Sequence, residues 1–130
     1  MKRALLAIVI TLVMSGCSRI ASDTPQQLMN ENLDDLTNAY AFRHRAEVLQ
    51  ELVRRGSVRP EFATDVQNGQ LTIGMNQAEV AALTIQQYTH TVNRTVTAAG
   101  VSEQWVYENA EGKAYLYIYF TNGFVTAYQN

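Results

Sequence analysis

Ala114-Tyr115-Leu116-Tyr117-Ile118-Tyr119-Phe120, then Thr121-Asn122-Gly123, then Phe124-Val125-Thr126-Ala127-Tyr128-Gln129, is the stretch that decides the fold. Strand side chains alternate between two faces, so Tyr115, Tyr117 and Tyr119 share one face and Leu116, Ile118 and Phe120 the other. Asn122-Gly123 tolerates positive φ at both positions, as a two-residue hairpin turn demands. Two antiparallel strands closed at that turn are expected. Upstream, Asn109-Ala110-Glu111-Gly112 has the length of a hairpin loop. Val101 to Tyr107 then forms a further strand, with Trp105 and Tyr107 on one face and Val106 on the other. Ala98-Ala99-Gly100 turns the chain again, after the β-formers Thr89, Thr91, Val92, Thr95, Val96 and Thr97.

Before Tyr88 the pattern is helical. Thr24-Pro25 offers a capping hydroxyl followed by a proline suited to a first helical turn. From there to Arg55 the chain carries no glycine and no further proline, and Leu28, Leu33, Leu36, Tyr40, Leu49, Leu52 and Val53 recur at near-helical spacing. One helix, or two with a break near Asn30–Asn32, satisfies this pattern equally. Arg54-Arg55-Gly56 supplies the cations and glycine of a helix end. Pro60 opens a short helix running to about Asn68 and closed by Gly69, and Leu71-Thr72-Ile73 reads as extended chain. Asn76 with Glu79 three residues on is a variant of the capping box, with Val80, Leu83 and Ile85 turned to the core side. Helices followed by strands predict an α+β fold, with the N-terminal helices on one face of a small antiparallel sheet of three to four strands.

Four motifs in order carry a family resemblance: Ile73-Gly74-Met75-Asn76, Glu79-Val80, Gln104-Trp105-Val106-Tyr107, and Leu116 through Thr126. Together they resemble the SmpA/OmlA (BamE-like) lipoprotein family, over about residues 70–130. The resemblance implies a lipidated cysteine, a small domain of helices on a three-stranded antiparallel sheet, and a role in envelope or outer-membrane protein assembly. The chain departs from the family at Thr84-Ile85-Gln86-Gln87-Tyr88, where a Gly-x-Pro-like turn is usual.

The N-terminus points the same way. Lys2 and Arg3 precede an uncharged core of eleven residues, Ala4 to Met14, well short of the roughly 20 that span a bilayer. Met14-Ser15-Gly16-Cys17 resembles a lipobox, with Met14 in the place usually held by leucine. By that resemblance residues 1–16 are a lipoprotein signal peptide, and Cys17 becomes the first mature residue and carries the lipid. A thiolate is the nucleophile such alkylation needs. Cys17 is the only cysteine, so no disulfide forms within the chain. Residues 17–24 read as a lipidated tether, residues 25–69 as the helical region and residues 70–130 as the SmpA/OmlA-like domain. In the enterobacterial sorting pattern Ser18, in place of aspartate, implies the outer membrane, facing the periplasm.

Composition narrows the function classes. Without Lys2 and Arg3, the 10 basic residues fall to 8 against 12 acidic, a net charge of −4. That balance argues against nucleic acid, which calls for a basic face. His44 and His90 lack neighbouring ligands at metal spacing, so neither metal nor other cofactor is expected. Asp34, Asp35, Glu47 and Glu51 read as a solvated helix face, with Glu47 and Glu51 pairing along it with Arg43 and Arg55. Ser57 and Ser102 have no adjacent base. The expectation is a non-enzymatic lipoprotein that binds an envelope protein, with Tyr115, Tyr117 and Tyr119 as the candidate interaction face, because tyrosine is enriched at interfaces. An inhibitor or exclusion factor blocking an envelope enzyme or channel is the alternative.

Overall fold

Thr24 starts the first helix by reciprocal capping: its hydroxyl accepts from the Gln27 N–H, and the Gln27 amide oxygen accepts from the Thr24 N–H. The computed structural model describes residues 23–83 and 90–130. Cys17, Ser18 and Ile85, the departure at 84–88 and most of the tether lie outside that range. The stretch from Pro25 to Arg55 divides into α1 (Pro25–Leu28), α2 (Leu33–Arg43) and α3 (Ala46–Arg54). The first break falls at the anticipated asparagines, where Asn32 Oδ1 caps α2 through the Asp35 N–H at 2.8 Å. The second lies at His44, which takes a left-handed conformation (φ 52°). Nothing in the sequence marks that break, since neither glycine nor proline stands there, although histidine enters this region more readily than most residues.

Gly56, at φ 73°, releases the chain from α3. Pro60–Phe62 forms a 3-10 turn that runs into α4 (Ala63–Gln67), and α5 (Gln77–Ala81) follows the Asn76–Glu79 capping box. Four strands complete the domain: β1 (His90–Thr97), β2 (Gly100–Glu108), β3 (Ala114–Thr121) and β4 (Phe124–Gln129). They form an antiparallel meander in the order β1-β2-β3-β4. Asn122 and Gly123 have φ 49° and 85°, the positive pair required at their turn.

The fold is therefore α+β, as expected, with four strands. Trp105, Tyr107, Leu116, Ile118, Phe120 and Val125 join Leu28, Leu36, Tyr40, Val48, Leu52, Val66, Met75, Val80 and Leu83 in one core. Residues 25–69 and 70–130 thus contribute to a single apolar interior. The alternate residues of each strand face away from the helices.

The two edges of the sheet differ. Along β4, the Gly74 N–H donates to Val125 O and the Val125 N–H donates to Met75 O, both at 2.8 Å. The segment 74–76 thereby covers the Phe124–Val125 end of that edge. Gly74 sits at φ 94°, a backbone conformation that favours glycine, while an added Cβ would meet the Phe62 ring at an ordinary 3.5 Å. On β1, by contrast, Thr91 to Thr97 are all exposed, and no described segment pairs with its outer side. Val92 and Val96 lie on the helix side of the sheet yet are 46% and 68% exposed, because the helical layer stops short of this strand.

Candidate docking site

The face of the sheet turned away from the helices is assembled from three cross-strand rows. Register places Thr91, Val106, Tyr117 and Gln129 in one row and Asn93, Gln104, Tyr119 and Ala127 in the next. Thr95, Ser102 and Thr121 form the third. None of these eleven side chains is charged; Glu108 lies beyond them at the β2–β3 bulge. A chain of hydrogen bonds follows the middle row from β1 to β3 and steps across to Gln129 of the first row on β4. Asn93 Nδ2 donates to Gln104 Oε1 (3.1 Å), Gln104 Nε2 to Tyr119 Oη (3.2 Å), and Tyr119 Oη to Gln129 Oε1 (3.4 Å). The chain holds the Tyr119 hydroxyl beside a shallow depression of about 340 Å³, whose lining includes Asn93, Thr95, Gln104, Tyr119 and Thr126, with Glu103 of the opposite face also reaching it.

The three tyrosines do not stay together. Pairing of Tyr107 with Leu116 and of Glu108 with Ala114 leaves Tyr115 as the extra residue of a bulge. Tyr115 packs against the core, and its nearness helps to push the buried Tyr107 hydroxyl, already raised by desolvation, further up. Tyr117 and Tyr119 remain on the helix-free face, half-buried among their neighbours. Strict alternation cannot foresee this, because a bulge in β3 leaves no clear mark in the sequence.

The titratable groups have structural surroundings. His90 stacks on Trp105 and lies against Tyr107, each with ring centroids 4.9 Å apart, and burial lowers its pKa. His44 meets the Tyr40 ring edge-on. Ser102 lies between Thr95 and Thr121 in the outer row. Among the described residues no group of three or more His, Cys, Asp or Glu side chains could hold a metal ion, and no helix is long and apolar enough to cross a membrane.

Two carboxylates are buried, and the sequence reading did not anticipate either. Glu51, expected in solvent, is only 6% exposed. It accepts from Arg54 at 2.7 Å and from Arg55 at 2.6 Å, the latter being the expected i,i+4 pair. Arg55 continues to Leu28 O (2.7 Å) and Glu31 O (2.6 Å), fastening the end of α1 to α3. Glu47 pairs with Arg45 at 3.7 Å, not with Arg43. Glu79 is fully buried and accepts four hydrogen bonds: from Arg59 N, Arg59 Nε, Arg59 Nη2 and Asn76 N. Arg59 also donates to Gly74 O at 2.7 Å and lies over the Phe62 and Phe124 rings at 4.5 and 5.4 Å. The capping-box position of Glu79 hinted at one of its bonds; Arg59 had no local signature.

Both carboxylates titrate below the ordinary range. Hydrogen bonds from Arg54, and then Arg55, hold Glu51 at about 2 against burial. Burial alone would raise Glu79, but the Arg59 side chain and the Arg59 and Asn76 main chains together lower it. A depressed carboxylate contributes stability that is complete above its unfolded value and lost as pH falls through the folded one. For Glu51 that window runs from 4.5 down to about 2. Denaturant midpoints measured across it should fall steadily, and Glu51→Gln should flatten this acid limb while lowering stability at neutral pH. An unchanged acid limb in that variant would show that Glu51 is not the group responsible.

Comparison with protein-family models, with curated proteins and with solved structures finds no match to this chain.

Proposed function

We propose that the protein is a lipoprotein anchored by Cys17 in the outer membrane, facing the periplasm, whose α+β domain is a non-enzymatic docking module for another envelope protein. The observation that carries the docking role is the uncharged helix-free face, with Tyr117 and Tyr119 set among amides and hydroxyls. A partner surface loses little by desolvating such a face. Ionised side chains would have to be stripped of water or matched one by one. Tyrosine brings large apolar area with a polar tip and few rotors to freeze. The lipobox resemblance and the SmpA/OmlA resemblance support the address and the envelope setting. The alternative, an inhibitor that blocks an envelope enzyme or channel, uses the same face and differs in what the partner does when bound.

Tyr117→Asp tests the docking role because its ring lies on the helix-free side and the core does not depend on it. The variant should fold like the parent, by circular dichroism, and lose its co-purifying partner. Burying an unpaired carboxylate costs about 2 kcal/mol or more, roughly 30-fold in affinity. Retention of the same partner at the same yield would remove this face from consideration.

A further inference from the structure

We infer that β1 is a self-association edge, pairing antiparallel with β1 of a second copy about a two-fold axis at Asn93. The inference does not depend on the tyrosine-face reading. Sheet edges are normally protected by charge, proline, a bulge or a covering segment. Here β4 is covered by residues 74–76 at its Phe124–Val125 end, and its pairing with β3 is bulged between Tyr119 and Phe120. Among the described residues no segment covers β1 and no proline stands in it; its eight pairings with β2, from His90–Tyr107 to Thr97–Gly100, run without a register shift, and Arg94 is its one residue with a permanent charge.

The main-chain directions follow from the neighbouring strand. Val101 O accepts from the Asn122 N–H at 2.7 Å, so the Val101 main chain faces β3 and that of Ser102 faces β1. Ser102 pairs with Thr95, so Thr91, Asn93, Thr95 and Thr97 bond to β2. His90, Val92, Arg94 and Val96 therefore turn their N–H and C=O groups to the open edge.

A second copy fits that edge in one register best. A two-fold axis normal to the sheet keeps each face on its own side, so only residues of the same parity can pair. Centring on Arg94 sets two guanidinium groups opposite each other, and centring on Thr95 runs the strand into the Ala98-Ala99 turn. Centring on Asn93 pairs Val92 with the second copy's Arg94, Thr91 with Thr95, and His90 with Val96. Each Arg94 keeps its own Glu103, 3.4 Å away, and the stem of one arginine covers the exposed Val92 of the other copy. The outer face supplies the argument for a second copy over an unrelated strand. The hydrogen-bond chain Gln129–Tyr119–Gln104–Asn93 ends at this edge. An amide can donate and accept, so Asn93 facing its symmetry mate extends the chain across eight strands. The buried area of one strand edge is small, so the dimer is weak and belongs to high local concentration.

The test uses the full chain purified in mild detergent, with the parent, whose only cysteine is Cys17, alongside. Asn93 and its mate form a non-hydrogen-bonded pair, with Cα atoms about 4.5 Å apart, within disulfide reach. Mild oxidation of Asn93→Cys should give a covalent dimer well above the parent's background. A mixture of Thr91→Cys and Thr95→Cys chains should give the mixed dimer, and Thr97→Cys none. Val92→Pro removes an outward N–H without touching the β2 ladder. Added to Asn93→Cys it should leave the circular dichroism unchanged and cut the dimer yield about tenfold, as expected for losing two symmetric hydrogen bonds. Dimer from Asn93→Cys no stronger than the parent's, or as strong from Thr97→Cys, overturns the proposal.

Discussion

Arg59→Met should destabilise the domain by about 3–5 kcal/mol, the usual effect of removing one partner from a buried ion pair. Domains of this size have about 5–15 kcal/mol in total, so the midpoint of thermal unfolding should drop on the order of 20 °C. Methionine keeps an unbranched aliphatic side chain, so the loss is that of the guanidinium, with its ion pair to Glu79 and its contacts over the Phe62 and Phe124 rings. What it leaves behind is Glu79, fully buried, with only the Arg59 and Asn76 main-chain donors. The pH dependence separates this from simple packing damage. Without the guanidinium, burial dominates and the Glu79 carboxyl rises above its unfolded value. A group raised in the folded state contributes stability at low pH that is lost as pH increases. The gap between variant and parent should therefore narrow as pH falls towards 4.5, and a gap independent of pH would mean that Glu79 is not left charged and buried.

Cys17→Ser should leave an unprocessed precursor without bound lipid, the second large effect. The three acyl chains that the lipobox resemblance implies on Cys17, at roughly 0.8 kcal/mol per buried CH₂, would amount to tens of kcal/mol of gross membrane affinity, so on that reading the change is all or none. Fractionation alone is a poor readout, because the uncut apolar stretch Ala4 to Met14 can hold the precursor at the membrane. The decisive readouts are the size of the chain and its incorporation of labelled fatty acid, with globomycin reproducing the precursor in the parent. Normal cleavage in Cys17→Ser would mean that the segment is an ordinary secretory signal and that Cys17 carries no lipid.

Much of the fold was legible because its determinants are local. Thr24, Asn76 with Glu79, Gly56, Gly69 and Asn122-Gly123 each fix a boundary through a cap or a positive φ, and each acts within a few residues of itself. The alternation from Leu116 to Phe120 correctly separated core from solvent for the same reason. What escaped is set by distance in sequence. The break at His44 has no local cause strong enough to name. Glu51 looks solvated on a helix until α1 folds back over it, and Glu79 finds Arg59 twenty residues away. The candidate face was two-thirds visible: Tyr117 and Tyr119 lie where alternation puts them, and the bulge opposite Glu108 carries Tyr115 to the core. The hydrogen-bond chain Asn93–Gln104–Tyr119–Gln129 could be recognised only once the register of three hairpins was known.

The central claim is that the uncharged face of the sheet docks an envelope protein, and its most direct test is positional photo-crosslinking in living cells. A crosslinking side chain placed at 104, 117 or 119 should trap one discrete protein, the same from all three positions. The same probe at Asp34 or Glu61, exposed on the helical side, should trap none. A common adduct from the three sheet positions alone is the predicted result. Adducts from the helical positions instead, or no discrete adduct from 104, 117 and 119, would contradict it.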